Sequence, residues 1–174
     1  MMLKFFLAVA AAANLAATLP TYNVPTAIKS ILKSSFCVLP DEFVITNFQI
    51  WTPATGNNRS TIIDFDYSDQ STHLDTKCHF NETSVNVDPH GSAARYACEL
   101  DWIHFIWEDD TLTMIEKACP LEEHGGGSEA AGSVTPKLTC FSSMKNNTVG
   151  EGKACTSSPR VMAAVFTSLE PTPK

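Results

Sequence analysis

After Phe43 the chain alternates apolar and polar residues with a period of two. Thr61, Ile63, Phe65 and Tyr67 alternate with Ile62, Asp64 and Asp66. Leu74, Thr76, Cys78 and Phe80 alternate with His73, Asp75, Lys77 and His79, and Ala94, Tyr96, Cys98 and Leu100 with Arg95, Ala97, Glu99 and Asp101. Successive side chains on a strand point to opposite faces, so each run predicts a half-buried strand with one wet face. The stretches 43–51, 102–107, 111–116, 137–142 and 161–169 are further strand candidates. Turn-rich segments separate them: TPATGNN, SDQ, VDPHGS, EDD and MKNNTVGEG. Residues 102–107 (WIHFIW) are apolar on both parities except at His104, as a strand covered on both faces would be. Glu108-Asp109-Asp110 then turns the chain into TLTMIE, so 102–116 reads as a hairpin. Many short strands at regular spacing predict an all-β fold, a single antiparallel β-barrel or β-sandwich.

The two ends differ from this pattern. Residues 1–17 (MMLKFFLAVAAAANLAA) carry one Lys, an apolar run over 5–13 and then small residues, the pattern of a secretory signal peptide. Its apolar run is too short for a membrane anchor. In the leader 18–36, Ile28, Ile31 and Leu32 fall at helical spacing opposite Lys29 and Lys33, and Pro25 suits a first helical turn. A short N-terminal helix, a loosely packed leader and a processed pro-segment all fit this segment, although it has no dibasic site. The β domain is then 37–170, and 171–174 (PTPK) is a frayed tail. Residues 120–136 (PLEEHGGGSEAAGSVTP) read as a mobile surface loop. Its triple glycine precedes neither Lys nor a helix signal, which argues against a phosphate cradle.

The six cysteines, at 37, 78, 98, 119, 140 and 155, all lie beyond the signal peptide. An even count in a secreted chain predicts disulfides. Cys78 and Cys98 share the apolar parity of consecutive strands and form the best-motivated pair. Cys119 and Cys140, which flank the Gly-rich loop, come second and leave Cys37 to Cys155. A Cys140–Cys155 pair would instead leave Cys37 with Cys119, and an exposed Cys37 would be free to join two chains. Sequons at Asn58, Asn81 and Asn146 fit the same compartment. Loss of Lys4 with the signal peptide moves the net charge from −7 to −8. Such a surface repels phosphate backbones and anionic lipid, which excludes nucleic acid and membranes as expected partners.

Sites for chemistry are thin. His104, with Asp101 and Glu108 nearby, can be drawn as a general-base centre, but a single strand histidine is more often packed or solvated. His73 and His79 share one wet face, and His90 and His124 have no acid–base context. No Gly-x-Ser-x-Gly, His-Glu-x-x-His or C-x-x-C motif is present, so no metal or cofactor is expected. Standing at i, i+2 on a strand, the carboxylate pairs Asp64/Asp66 and Glu99/Asp101 could meet the roughly 5–5.5 Å separation of a retaining glycosidase pair. That geometry is common on any wet sheet face. Asp109 and Asp110 are explained by the turn, and Glu122-Glu123 lie in the loop. A base-specific ribonuclease needs a basic phosphate site that this chain does not collect. Trp51, Trp102, Trp107, Tyr67, Tyr96 and the phenylalanines could line a pocket for a flat aromatic ligand, although strand aromatics usually fill a core.

The order of features resembles a family of secreted fungal β-barrel proteins typified by the major allergen of Alternaria. Cys37 is followed by Ile45-Thr46-Asn47-Phe48, the alternating strand 62–67, the cysteine strand 74–78 and Tyr96-Ala97-Cys98. An aromatic hairpin, a cysteine-flanked loop and the last apolar strand 161–169 complete the order. The resemblance spans about 37–169. The loop between Cys119 and Cys140 and the leader are longer than in the family, and Cys155 is additional. The resemblance implies a non-enzymatic extracellular protein without cofactors, an allergen, elicitor or effector. Its partner would be a host defence protein, such as one of the thaumatin-like class, or a small phenolic ligand. Family members dimerise through the early cysteine; here the sixth cysteine can capture Cys37 within the chain, so a monomer and a Cys37-linked dimer both stand. The rival expectation from composition is a secreted hydrolase acting on cell-wall glycan or RNA.

Overall fold

A computed structural model describes residues 20, 22–26, 28–29, 37–119, 127–143 and 150–172. The signal peptide 1–17, Asn146, His124 and Glu122-Glu123 lie outside the described residues. Among the described residues, eleven strands form two antiparallel sheets: β1 (Glu42–Pro53), β2 (Ile62–Asp69), β3 (Leu74–Phe80), β4 (Tyr96–Ala97), β5 (Ile103–Glu108), β6 (Thr111–Ala118), β7 (Ser128–Val134), β8 (Leu138–Ser143), β9 (Gly152–Ser157), β10 (Val161–Val165) and β11 (Ser168–Pro171). The first sheet runs β3-β2-β1-β9-β8, with β10 also on β1; the second runs β11-β7-β6-β5-β4. The arrangement is a sandwich. Of the two predicted all-β forms, it takes the one with two facing sheets.

Alternation places the core as predicted. On β2, Ile63, Phe65 and Tyr67 face the second sheet, where Ile103, Phe105, Leu112 and Met114 meet them, all essentially buried. The long strand β1 needs a correction to strict alternation. Phe43 and Ile45 face inward, but so do Phe48 and Ile50. A bulge between Thr46 and Gln49 switches the parity. Asn47 sits there in the left-handed region at φ 56°, which asparagine tolerates better than most residues. The bulge also divides the far flank of β1, whose first half pairs with β10 and second half with β9.

The 102–116 hairpin forms as read. Asp109 and Asp110 take φ 48° and 57°, the two positive values that a tight two-residue β-turn requires. In the N-terminal segment, Thr26, Ile28 and Lys29 are helical, and the Lys29 N–H donates to Pro25 O at 3.0 Å. Tyr22 and Ile28 belong to the core cluster, which is not the packing of a loose leader. The segment is tied down by the Tyr22 hydroxyl, which donates to Pro40 O at 2.5 Å. At the other terminus, Pro171 ends β11 and the Thr172 N–H donates to Gly127 O, so the expected tail is paired through Thr172.

The disulfides join Cys37 to Cys119, Cys78 to Cys98 and Cys140 to Cys155. The expected Cys119–Cys140 pair is therefore wrong. Cys140 and Cys155 stand directly opposite on β8 and β9, and that register decides the pairing. Cys37, bonded within the chain, keeps no thiol for a second molecule. Cys78 and Cys98 do pair, but not as neighbours within one sheet: β3 belongs to the first sheet and β4 to the second, so this bond ties the sheets together.

Candidate functional site

A groove of about 490 Å³ opens on the outer face of β1, β2 and β3. Strand alternation builds it. The inward set of β2 fills the core, so Asp64 and Asp66 must face out, as must Lys77 and His79 on β3. Register then aligns Gln49, Asp64 and His79 in one row across the three strands, with Asp66 opposite Lys77 in the next. Phe65 and Cys78, both buried, complete the lining beneath these side chains. Glu99 reaches the rim because Cys98 is bonded to Cys78 and the Glu99 N–H donates to Lys77 O at 2.8 Å.

The groove's side chains are bonded to one another. His79 Nδ1 lies 2.5 Å from Asp64 Oδ1, and His79 Nε2 lies 2.8 Å from Asn81 Nδ2. One neutral tautomer satisfies both contacts: Nδ1–H donates to the carboxylate while Nε2 accepts from the amide. Asn81 Oδ1 in turn accepts from the N–H and hydroxyl of Thr83, at 2.8 and 2.7 Å. The bulge aims Asn47 at the other carboxylate, and its Nδ2 donates to Asp66 at 2.7 Å. An Asp–His dyad can activate water, but the nitrogen that would take the proton is Nε2, and Asn81 occupies it.

The remaining predicted residues scatter. Asp64 and Asp66 do share the groove, whereas Glu99 and Asp101 separate: Asp101 lies with Lys117 and His104 on the second sheet. His104 is 7% exposed and 3.7 Å from Asp101, and neither ring nitrogen has a hydrogen-bond partner. Burial first, and then Arg95 and Lys117, push its pKa down. Glu108 sits at the far end of β5 opposite Thr111, and the general-base centre is not assembled. His73 is a turn residue with φ 58°, and His90 is exposed in a loop. Of the aromatic residues proposed for a pocket, Trp107, Tyr67, Tyr96 and several phenylalanines pack on other rings instead, with Tyr67 stacked on Phe43. Phe48 meets Trp107 at 5.2 Å between centroids, Phe65 meets Phe105 at 5.1 Å and Phe80 meets Tyr96 at 4.5 Å. Among the described residues, no group of three or more His, Cys, Asp or Glu could hold a metal ion.

Two buried polar clusters escaped the sequence reading. Arg95 and Glu129 form an ion pair at 2.5 Å with both side chains over nine-tenths buried. Between the sheets, the Tyr67 hydroxyl donates to fully buried Glu116, close to Asp69. Asp69 accepts from the N–H groups of Ser71 and Thr72 at 2.6 and 3.3 Å. A signal for this second cluster was present: Glu116 shares the parity of Leu112 and Met114, and Asp69 that of Ile63, Phe65 and Tyr67. A carboxylate on the core parity of a strand must be buried. No such signal marked Arg95.

The fold and groove thus define a disulfide-stapled antiparallel sandwich with a polar cleft on one outer face. No family model and no curated protein matches the chain. Two crystal structures of the Alternaria alternata allergen Alt a 1 are similar to it, at TM-score 0.49 and 15% identity; they cover 76% of this chain and 89% and 95% of theirs. The resemblance read from the order of strands and cysteines was to this same allergen.

Proposed function

We propose that the chain is a secreted, non-enzymatic protein that acts by binding in the extracellular space, as an effector, elicitor or allergen-like protein. Its partner is a host extracellular protein or a small phenolic ligand. The observation that carries the choice of binding over catalysis is the closed sequence Asp64–His79–Asn81, which leaves the dyad no free basic nitrogen. Six cysteines paired in three disulfides fit an oxidising compartment.

The test uses protein purified from a secreting host. Saturable binding to a phenolic ligand or to an isolated host apoplastic protein is expected. No turnover is expected on a panel of cell-wall glycans and RNA. Turnover that disappears in Asp64→Asn would replace this reading with the hydrolase.

A further inference from the structure

We infer that the groove on β1–β3 is the docking place of the chain's own N-glycan at Asn81, whose first two N-acetylglucosamine rings lie along the row His79–Asp64–Gln49. The inference rests on the secreted reading and deepens it, because it names what occupies the outer face of the first sheet.

Asn81 follows the last residue of β3, two positions after His79, and so continues the outward parity of Lys77 and His79. Its Nδ2 is the atom an oligosaccharide is attached to, and it already points at His79, a lining residue of the groove. Thr83 holds Oδ1 with two hydrogen bonds, which fixes the amide's orientation. Attachment replaces one of the two Nδ2 hydrogens. The other continues to donate to His79 Nε2, so the first sugar begins beside the His79 ring.

The lining suits a neutral, hydroxyl-rich ligand. Asp64, Asp66 and Glu99 offer acceptors to sugar hydroxyls, and Asn47, Gln49 and Lys77 offer donors. Each carboxylate keeps lone pairs beyond the one bound by His79 or Asn47. Three carboxylates against one lysine repel an anionic ligand. From β3 to β1 is two strand spacings, roughly 10 Å, about the length of two pyranose rings. Covalent attachment removes most of the association entropy, so a modest set of hydrogen bonds suffices to hold the sugar.

Asn58 is the internal comparison. It lies in the exposed β1–β2 loop at the same end of the first sheet. The experiment expresses the full chain in a secreting host that leaves high-mannose glycans, measures occupancy by peptide mass spectrometry and follows native release by endoglycosidase H. The Asn81 glycan should be released at least about tenfold more slowly than the Asn58 glycan, equivalent to ~1.4 kcal/mol of docking. Unfolding should abolish the difference. Gln49→Ala with Lys77→Ala removes two exposed donors from the groove and should bring Asn81 release up to the Asn58 rate. Equal native rates at the two sites would overturn the inference, as would resistance that survives the double substitution, since that would be simple crowding. An unmodified Asn81 beside an occupied Asn58 overturns it too, with secretion intact. If neither asparagine is modified, the inference falls, while the secreted reading is judged separately by whether the chain is recovered from the medium.

Discussion

Glu116 is fully buried, and its Oε1 has no hydrogen-bond partner. Burial pushes its pKa up from an ordinary 4.5 to about 7; the Tyr67 hydroxyl opposes the rise and nearby Asp69 adds to it. Asp69 is itself raised by burial, against the N–H groups of Ser71 and Thr72 that hold it down. The groups acting on Glu116, Tyr67 and nearby Tyr22 are Asp41, Asp69, the Thr72 hydroxyl and one another, with no cation among them. Because Glu116 binds its proton more tightly folded than unfolded, the stability it contributes is fully present below about pH 4.5. That stability is lost as pH rises through about 7. A rise of that size corresponds to about 3 kcal/mol. Thermal melts should therefore show a falling midpoint between pH 4.5 and 8, and Glu116→Gln, which stays neutral, should flatten that slope. An unchanged slope in the variant would place the titrating group elsewhere.

Gly132 shows why one element could not be read from its sequence. A Cβ there would lie 2.4 Å from Val165 O and 2.9 Å from Phe43, because the corner between β10 and β11 crosses β7 at close range. Gly132→Ala should cost about 1–3 kcal/mol through overpacking, read as a lower urea midpoint; a neutral result would mean that the corner can move aside. The same crossing demands the small residues of β7 (SEAAGSV), and those residues made 120–136 look like a loop. β9 (GKACTS) was hidden in the same way, since a small serine and a bonded cysteine supply its buried positions. By contrast, β2, β3, β5 and β6 carry large side chains on their inward parity and were legible directly. The run 94–100 shrinks to a two-residue β4. Beyond Ala97, Glu99 and Leu100 turn their N–H groups to Lys77 O and Thr76 Oγ1 on the other sheet, a long-range choice that alternation does not encode. The groove was half legible for the same reason. Asp64, Asp66 and His79 stood out on wet faces, whereas Asn47, Gln49 and Glu99 enter it through a bulge, a register and a disulfide.

Across the whole molecule the disulfides tie unlike things together. Cys140–Cys155 closes 15 residues between neighbouring strands of one sheet, where a ladder already holds the chain. Cys37–Cys119 spans 82 residues and fixes the approach to β1 against the end of β6 in the opposite sheet. A cross-link that acts on the unfolded chain gains stability with the length of the loop it closes. The short bridge should then contribute about 3 kcal/mol and the long one about 4.5 kcal/mol. Replacing Cys37 and Cys119 together by serine should lower the urea midpoint more than replacing Cys140 and Cys155. It should also raise hydrogen exchange at Tyr22 and Ile28, which enter the core just ahead of Cys37. The reverse order would show that the bridges act through the native state: β8 is an edge strand, and the bond to β9 would then be what keeps it in the sheet. Equal losses with no change in exchange would mean that the N-terminal segment is held by its own packing, by Tyr22 on Pro40 and Ile28 in the core, and that the long bridge only restrains the unfolded chain.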